Sequence, residues 1–382
     1  MQADVMRVAV IGRTGRGDWG HAIDELWDRL FFGHSDAADG RLAAEVVAAA
    51  DDDAAGLAAA AERHALDDAT AFHDWRKMLA TVKPDIVAIC PRYLDCHADM
   101  AIAAAEAGAH GIFMEKPFVR TPAEADAVIA ACTKAKTKLG LAFVNRHAAS
   151  YLMARDLIEA GRVGQVLEIR ARGKEDHRGG GEDLWVLGSH VLDLMVDIGG
   201  EPKWCQATVT QAGQLITKAD AVEGPEGIGL VAGDAINAMF GLANGPIGSF
   251  ASVKEAGLKQ PNFGLTVVGS KGAIHIRPDH VPQAWLREAP LWRTDKEFPW
   301  KPIGPGGIET EPPQNVDRAA ARVAWGRRAA LDLVDAIATD REPETGMYAG
   351  RTVVEMTAAI YASALSGERI TWPLVHRASP LA

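Results

Sequence analysis

Hydrophobic positions over the first 140 residues fall into short unbroken runs separated by stretches of helical spacing. Residues 8–11, 45–50, 85–90, 111–114 and 139–144 are each apolar throughout or nearly so. Such runs predict strands buried on both faces rather than half-exposed ones. Between them, residues 54–64, 75–81 and 96–107 carry the helical period, the last closed by Gly108. Thr121 followed by Pro122 predicts a helix start, with threonine as N-cap and proline at the first position. Strand and helix alternate, which predicts a parallel sheet covered by helices on both faces.

After Arg146 the pattern changes. A helix over 151–160 stops at Gly161, and 165–172 then alternates. Leu167, Ile169 and Ala171 point one way, and Glu168, Arg170 and Arg172 the other, as in a half-buried antiparallel strand. Further strands are expected at 206–210, 235–242, 247–253, 263–269 and 273–277. Residues 296–314, rich in proline and glycine, read as a long loop, and 317–339 and 347–365 as closing helices. The expected architecture is α/β followed by α+β. A doubly wound parallel sheet occupies 1–146, and a domain on an open, mostly antiparallel sheet occupies 147–382.

Composition narrows the classes. The 382 residues are 48% hydrophobic, enough for two cores. A formal charge of −11 argues against nucleic acid or an anionic membrane as partner. No run is long enough to span a bilayer. The first strand begins almost at once, so no signal peptide is expected before it. Cys90, Cys96, Cys132 and Cys205 lack paired spacing, which suggests no metal site and a reducing, cytoplasmic setting.

Gly12-Arg13-Thr14-Gly15-Arg16-Gly17-Asp18-Trp19-Gly20 follows the first strand and precedes a helix. Glycines there let backbone approach a pyrophosphate at a helix N-terminus. Two registers fit: Gly12, Thr14 and Gly17, or Gly15, Gly17 and Gly20. Asp51, at the end of the second strand, can bond ribose hydroxyls and repel a 2′-phosphate. It therefore favours NAD, while Arg13 and Arg16 keep NADP open.

Glu115-Lys116-Pro117 closes a buried strand, at the edge where open α/β sheets bind ligands. Gly188-Ser189-His190-Val191-Leu192-Asp193 supplies a histidine on a separate element, and the two can share proton transfer. With Ala104-Ala105-Glu106-Ala107-Gly108, Gly161-Arg162-Val163-Gly164 and Val268-Gly269-Ser270-Lys271-Gly272, these motifs give the chain its resemblance. Residues 5–280 resemble the Gfo/Idh/MocA oxidoreductases.

The resemblance implies a Rossmann domain holding NAD or NADP and a second domain that builds the substrate site. It also implies self-association as a homodimer or homotetramer. Cofactor contacts would fall on Gly12, Arg13, Thr14, Gly15, Gly17, Asp51, Pro91, Arg92, Glu115, Lys116 and Asn145. Lys116 and His190 would meet the reacting hydroxyl, and Arg146, Lys174 and Arg178 would bind substrate. Many members carry an aspartate four residues before the histidine; here that position is Val186.

Asp193, one helical turn from His190, is one replacement and could orient the imidazole. Glu182 or Asp183, in a loop expected to be flexible, is another. Arg170, Arg172 and Lys174 share one strand face, either to bind an anion or as a salt-bridged surface. The expected activity moves a hydride between nicotinamide and a hydroxyl of a sugar, sugar derivative or cyclic polyol. An ordinary lysine is protonated at neutral pH, so the base role falls first to His190. The alternatives are a redox-neutral glycosidase or lyase with tightly held NAD, and a non-catalytic sensor.

Overall fold

The computed structural model describes residues 5–12, 22–27, 30–31, 42–257, 262–313 and 316–382. Two compact units divide the chain. The first is Met1–Val144 with Arg322–Arg351, and the second is Asn145–Ala321 with Thr352–Ala382.

The first unit contains strands β1 (Met6–Ile11), β2 (Leu30–Phe31), β3 (Leu42–Ala50), β4 (Ala71–Phe72), β5 (Ile86–Ile89), β6 (Gly111–Met114) and β7 (Lys138–Leu141). Its main path runs β2-β3-β1-β5-β6-β7, with β4 beside β3, and every pair is parallel except β2 with β3. Chain order reverses at β1, which creates a switch point. Helices α1 (Ile23–Leu26), α2 (Ala54–Arg63), α3 (Trp75–Val82), α4 (His97–Glu106) and α5 (Pro122–Ala135) fill the connections. Caps follow the sequence: Asp53 accepts from the Gly56 amide, Asp74 from Arg76, and Thr121 from Glu124. Val8, Val10, Ile86, Val87, Ile112 and Phe113 are fully buried, and Trp27 meets Phe113 edge-on at 5.7 Å.

Residues 322–351, expected in the second domain, group with the first unit. Gly111 explains part of this. A Cβ there would lie 2.6 Å from Ile337 Cδ1, so only glycine lets the helix Arg318–Thr339 approach so closely. Thr345 closes the β7 edge: its carbonyl accepts from the Leu141 amide at 2.7 Å and its hydroxyl donates to the Leu141 carbonyl at 3.0 Å. Contacts of such long sequence separation leave no local pattern to read.

The second unit begins with α6 (Ala149–Glu159), β8 (Val166–Arg172), α7 (Gly181–Val186) and α8 (Gly188–Gly199). Strands β9 (Pro202–Gln211), β10 (Gln214–Leu215), β11 (Val222–Glu223), β12 (Leu230–Val231), β13 (Ala235–Leu242), β14 (Ile247–Val253), β15 (Gly264–Gly269) and β16 (Ala273–Ile276) follow. Then come β17 (Ala284–Arg287), β18 (Lys301–Gly304), β19 (Gly307–Ile308) and β20 (Ile370–Thr371). The large sheet runs β10-β9-β13-β14-β8-β15-β16-β17-β18-β19, with β20 beside β9. Among the described pairs of this sheet only β14 with β8 is parallel; β11 and β12 pair separately.

The stretch 296–314 is thus not all loop, because β18 and β19 lie in it. They extend the sheet at its margin, where Pro302 is tolerated. α8 packs on the sheet face that carries Ile169, where Met195 meets Gly248. The opposite face carries Glu168 paired with Arg170, and Arg172 paired with the buried Glu175. This is the salt-bridged arrangement weighed above for the strand's arginines.

Candidate active site

In the first unit the strands' C-terminal ends form one edge. Ile11 is in register with Ala50 and Ile89, and Ile89 with Met114. The pairing runs one residue further. The Gly12 amide donates to the Ala50 carbonyl at 2.8 Å, Cys90 to Ile11 at 3.0 Å, and Glu115 to Ile89 at 2.9 Å. Gly12, Asp51, Cys90 and Glu115 therefore line the edge beside the switch point, where dinucleotides bind in such sheets. Arg13, Thr14, Gly15 and Gly17 lie outside the described residues. Asp51 is buried, and its carboxylate accepts from the Asp53 amide at 3.0 Å. The aspartate is thus aimed by its own turn, while Asp53 caps α2.

Lys116 follows Glu115 directly and is 6% exposed. Its turn is braced by His97, which is fully buried at the start of α4. The ring's Nδ1 lies 3.0 Å from the carbonyls of both Pro117 and Phe118, and Nε2 lies 2.8 Å from that of Pro91. One imidazole therefore ties the turn after β5 to the turn after β6. The residues after both strands, Pro91 and Arg92 on one and Glu115 and Lys116 on the other, are held in fixed relation.

In the second unit His190 is 6% exposed on the first turn of α8, with Phe263 edge-on at 6.4 Å. Its Nδ1 lies 3.1 Å from Asn145 Nδ2. Asn145 Oδ1 accepts from Gln283 Nε2 at 2.7 Å, and that nitrogen also donates to the Pro278 carbonyl at 3.3 Å. The Gln283 backbone N–H donates to Ser150 Oγ at 3.2 Å. Gln283 is fully buried. It had no place in the sequence reading, since a glutamine 93 positions from the histidine leaves no periodic signal.

The carboxylates expected beside His190 are engaged elsewhere. Asp193 pairs with Arg146, whose Nε donates to Oδ2 at 2.9 Å and whose second guanidinium nitrogen reaches Oδ1 at 2.7 Å. Arg146 also reaches Asp197 at 3.0 Å, and the Tyr151 hydroxyl donates to Asp197 at 2.5 Å. Asp193 and Asp197 are four residues apart, on one helix face, so one guanidinium spans both. Arg146, expected to bind substrate, is thus enclosed in an ion network. Burial pushes the Asp193 carboxyl up to about 6, against the pull of Arg146.

Asp183 is fully buried. It accepts from the Lys174 and Glu175 amides at 3.1 Å each and from the Ser252 hydroxyl at 2.6 Å. Burial raises its carboxyl despite these donors. The glycines before it do not make a swinging loop. Gly180 has φ +81°, and a Cβ on it would lie 2.3 Å from the Gly233 carbonyl oxygen. They let the segment press against neighbouring backbone, so Asp183 works as a staple. Replacing Asp183 with alanine is expected to cost about 1–3 kcal/mol, since three donors lose their acceptor. Urea melting checks it, and an unchanged midpoint would remove the staple. Arg178 pairs with Asp176 through two nitrogens, at 3.0 and 2.6 Å, while the Lys174 side chain is half-buried.

The sheet face opposite α8 holds a cavity of about 520 Å³ lined by Thr266, His275, Arg277, His280, Trp285 and Trp300. Burial pulls the His275 imidazole down to about 4. Among the described residues, none of the site candidates singled out from the sequence lines it.

Comparison with known proteins bears on both units. Residues 6–143 match the model of the oxidoreductase family with an NAD-binding Rossmann fold, and 151–275 match the GFO/IDH/MocA C-terminal domain. Levoglucosan dehydrogenase of Pseudarthrobacter phenanthrenivorans is 28% identical over 334 residues, 78% of this chain and 82% of the relative. D-Glucoside 3-dehydrogenase of Escherichia coli is 27% identical over 216 residues, 53% and 56% of the two chains. Among solved structures, levoglucosan dehydrogenase with NADH and levoglucosan superposes with a TM-score of 0.74 at 22% identity, covering 97% of this chain and all of that one. With both domain models matched in order over most of its length, the chain belongs to the Gfo/Idh/MocA oxidoreductase family.

Proposed function

We propose that this protein is an NAD-dependent dehydrogenase of a ring hydroxyl on a sugar, sugar derivative or cyclic polyol. The observation that carries the reading is the edge of the first sheet. There the backbone of Gly12, the buried Asp51 carboxylate and the braced Lys116 turn gather at the switch point. These residues fit a dinucleotide: glycine backbone for the pyrophosphate and an oriented acid for the ribose diol. Pro91, Arg92, Glu115 and Lys116 complete the set assigned to it. The bound nicotinamide supplies the acceptor for hydride from carbon. Lys116 and His190 are assigned the reacting hydroxyl, one donating a hydrogen bond and the other removing its proton.

Relatives named as dehydrogenases of levoglucosan, inositol and D-glucosides support the substrate class and do not favour redox-neutral cleavage. The test is a screen of anhydrosugars, glycosides and inositols for nicotinamide reduction by absorbance. Reduction by none of them, with NAD bound, would overturn the reading. Asp51 leads to a separate expectation: calorimetric titration should show NAD binding tighter than NADP, by about tenfold or more, from repulsion of the 2′-phosphate. Tighter NADP binding would remove Asp51 from this role. Self-association as a dimer or tetramer is part of the same proposal, read by light scattering. No described helix is long and apolar enough to cross a membrane.

A further inference from the structure

We infer that Asn145 and Gln283 lock His190 in its Nε2–H tautomer, so that it donates a hydrogen bond to the reacting oxygen instead of taking a proton from it. This deepens the dehydrogenase reading and rests on it for the identity of that oxygen.

The Pro278 carbonyl can only accept. The Gln283 side-chain atom 3.3 Å from it must therefore be the amide nitrogen, because the oxygen would set acceptor against acceptor. The same nitrogen lies 2.7 Å from the Asn145 side chain, which must turn its oxygen towards it. Asn145 then has its NH₂ towards His190, 3.1 Å from Nδ1. A nitrogen that receives an N–H must offer a lone pair, so the ring's own hydrogen belongs on Nε2. The Nδ1–H tautomer and the doubly protonated ring would both set N–H against N–H. Relieving that conflict requires both amides to turn over, which would aim the Gln283 oxygen at the Pro278 carbonyl. Gln283 is fully buried and Asn145 is 5% exposed, so water does not readily take the place of these partners.

A carboxylate partner accepts from Nδ1–H and leaves Nε2 with a lone pair, ready to act as a base. An amide donor at Nδ1 does the reverse. A neutral imidazole that donates from one nitrogen is a known electrophilic device. The proton of the reacting hydroxyl then passes to the Lys116 side chain, which must enter the step as the neutral amine: the O–H bond breaks, an N–H bond forms to give the ammonium, and the electron pair stays on the oxygen. Asn145 and Gln283 are positioning residues, acting through the ring.

The test is a two-bond ¹⁵N–¹H correlation spectrum of the full chain labelled at histidine nitrogens, near neutral pH. The His190 ring is identified by the signals lost in His190→Gln. Should that variant not fold, it is identified by the signals lost in His190→Asn. The expected result is a protonated-type Nε2 and a bare-type Nδ1, exchanging places in Asn145→Asp because a carboxylate can only accept. An Nδ1–H or doubly protonated His190 in the unsubstituted protein overturns the inference. So does a tautomer unmoved by Asn145→Asp. The spectrum needs no turnover, so a protein inactive on every sugar that still shows the Nε2–H ring loses the dehydrogenase reading alone.

Discussion

Lys116→Ala is expected to lower turnover on the substrate hydroxyl by about 10²-fold or more, with little change in NAD affinity. The lysine sits on a turn fixed by groups other than its own side chain. The Glu115 amide is bonded to Ile89 before it, and His97 grips the Pro117 and Phe118 carbonyls after it. Truncation should remove the amine without releasing the turn. His190→Ala should cause a loss of similar size, for a different reason: it removes the donor that steadies negative charge growing on the oxygen. Steady-state rates give the turnover and calorimetry gives the cofactor affinity. Near-normal turnover in either variant would mean that residue is wrongly assigned. A joint loss of turnover and NAD binding in Lys116→Ala would point instead to a collapsed cofactor edge.

The second large effect concerns stability. Arg146→Leu should destabilise the fold by about 3–5 kcal/mol, because it leaves the buried Asp193 carboxylate without its cation and facing Asp197, which keeps Arg155 at 3.7 Å. The pH dependence has a defined sign. Burial holds the folded Asp193 carboxyl at about 6, above the unfolded value of about 3.9. Its contribution is therefore full below about pH 4 and is lost as pH rises through about 6. Arg146 opposes that upward shift, so without it the deficit should be larger at mildly alkaline pH than at about pH 5. Adding Asp193→Asn to Arg146→Leu should recover part of the loss. Urea melts at the two pH values give both numbers. Equal deficits at both, or no recovery in the double variant, would show that the network does not carry this energy.

The fold of the first unit was legible because it is written locally. Continuous apolar runs at 8–11, 85–90 and 111–114, separated by capped helical stretches, leave a parallel sheet as the arrangement that buries every strand on both faces. The edge followed from it, since a strand's C-terminal end is a sequence position, and Gly12, Asp51, Pro91 and Lys116 are therefore readable. The partners of those residues were not. That Asp193 goes to Arg146, that Asp183 staples 174–175 to Ser252, and that His190 faces Asn145, itself held by Gln283, depend on distances across 8 to 138 positions. Nor does a β8 arginine's period-two face say whether it meets a ligand or a neighbouring carboxylate. Spacing along a helix or strand decides which side chains share a face. Only packing decides what that face meets, and burial then makes each polar group's choice of partner binding, because an unmade bond in the interior costs more than a made one contributes. The sequence by itself therefore determined the strands, the edge and the chemistry-bearing residue types, while the tertiary structure decided which acid, amide or cation each of them holds.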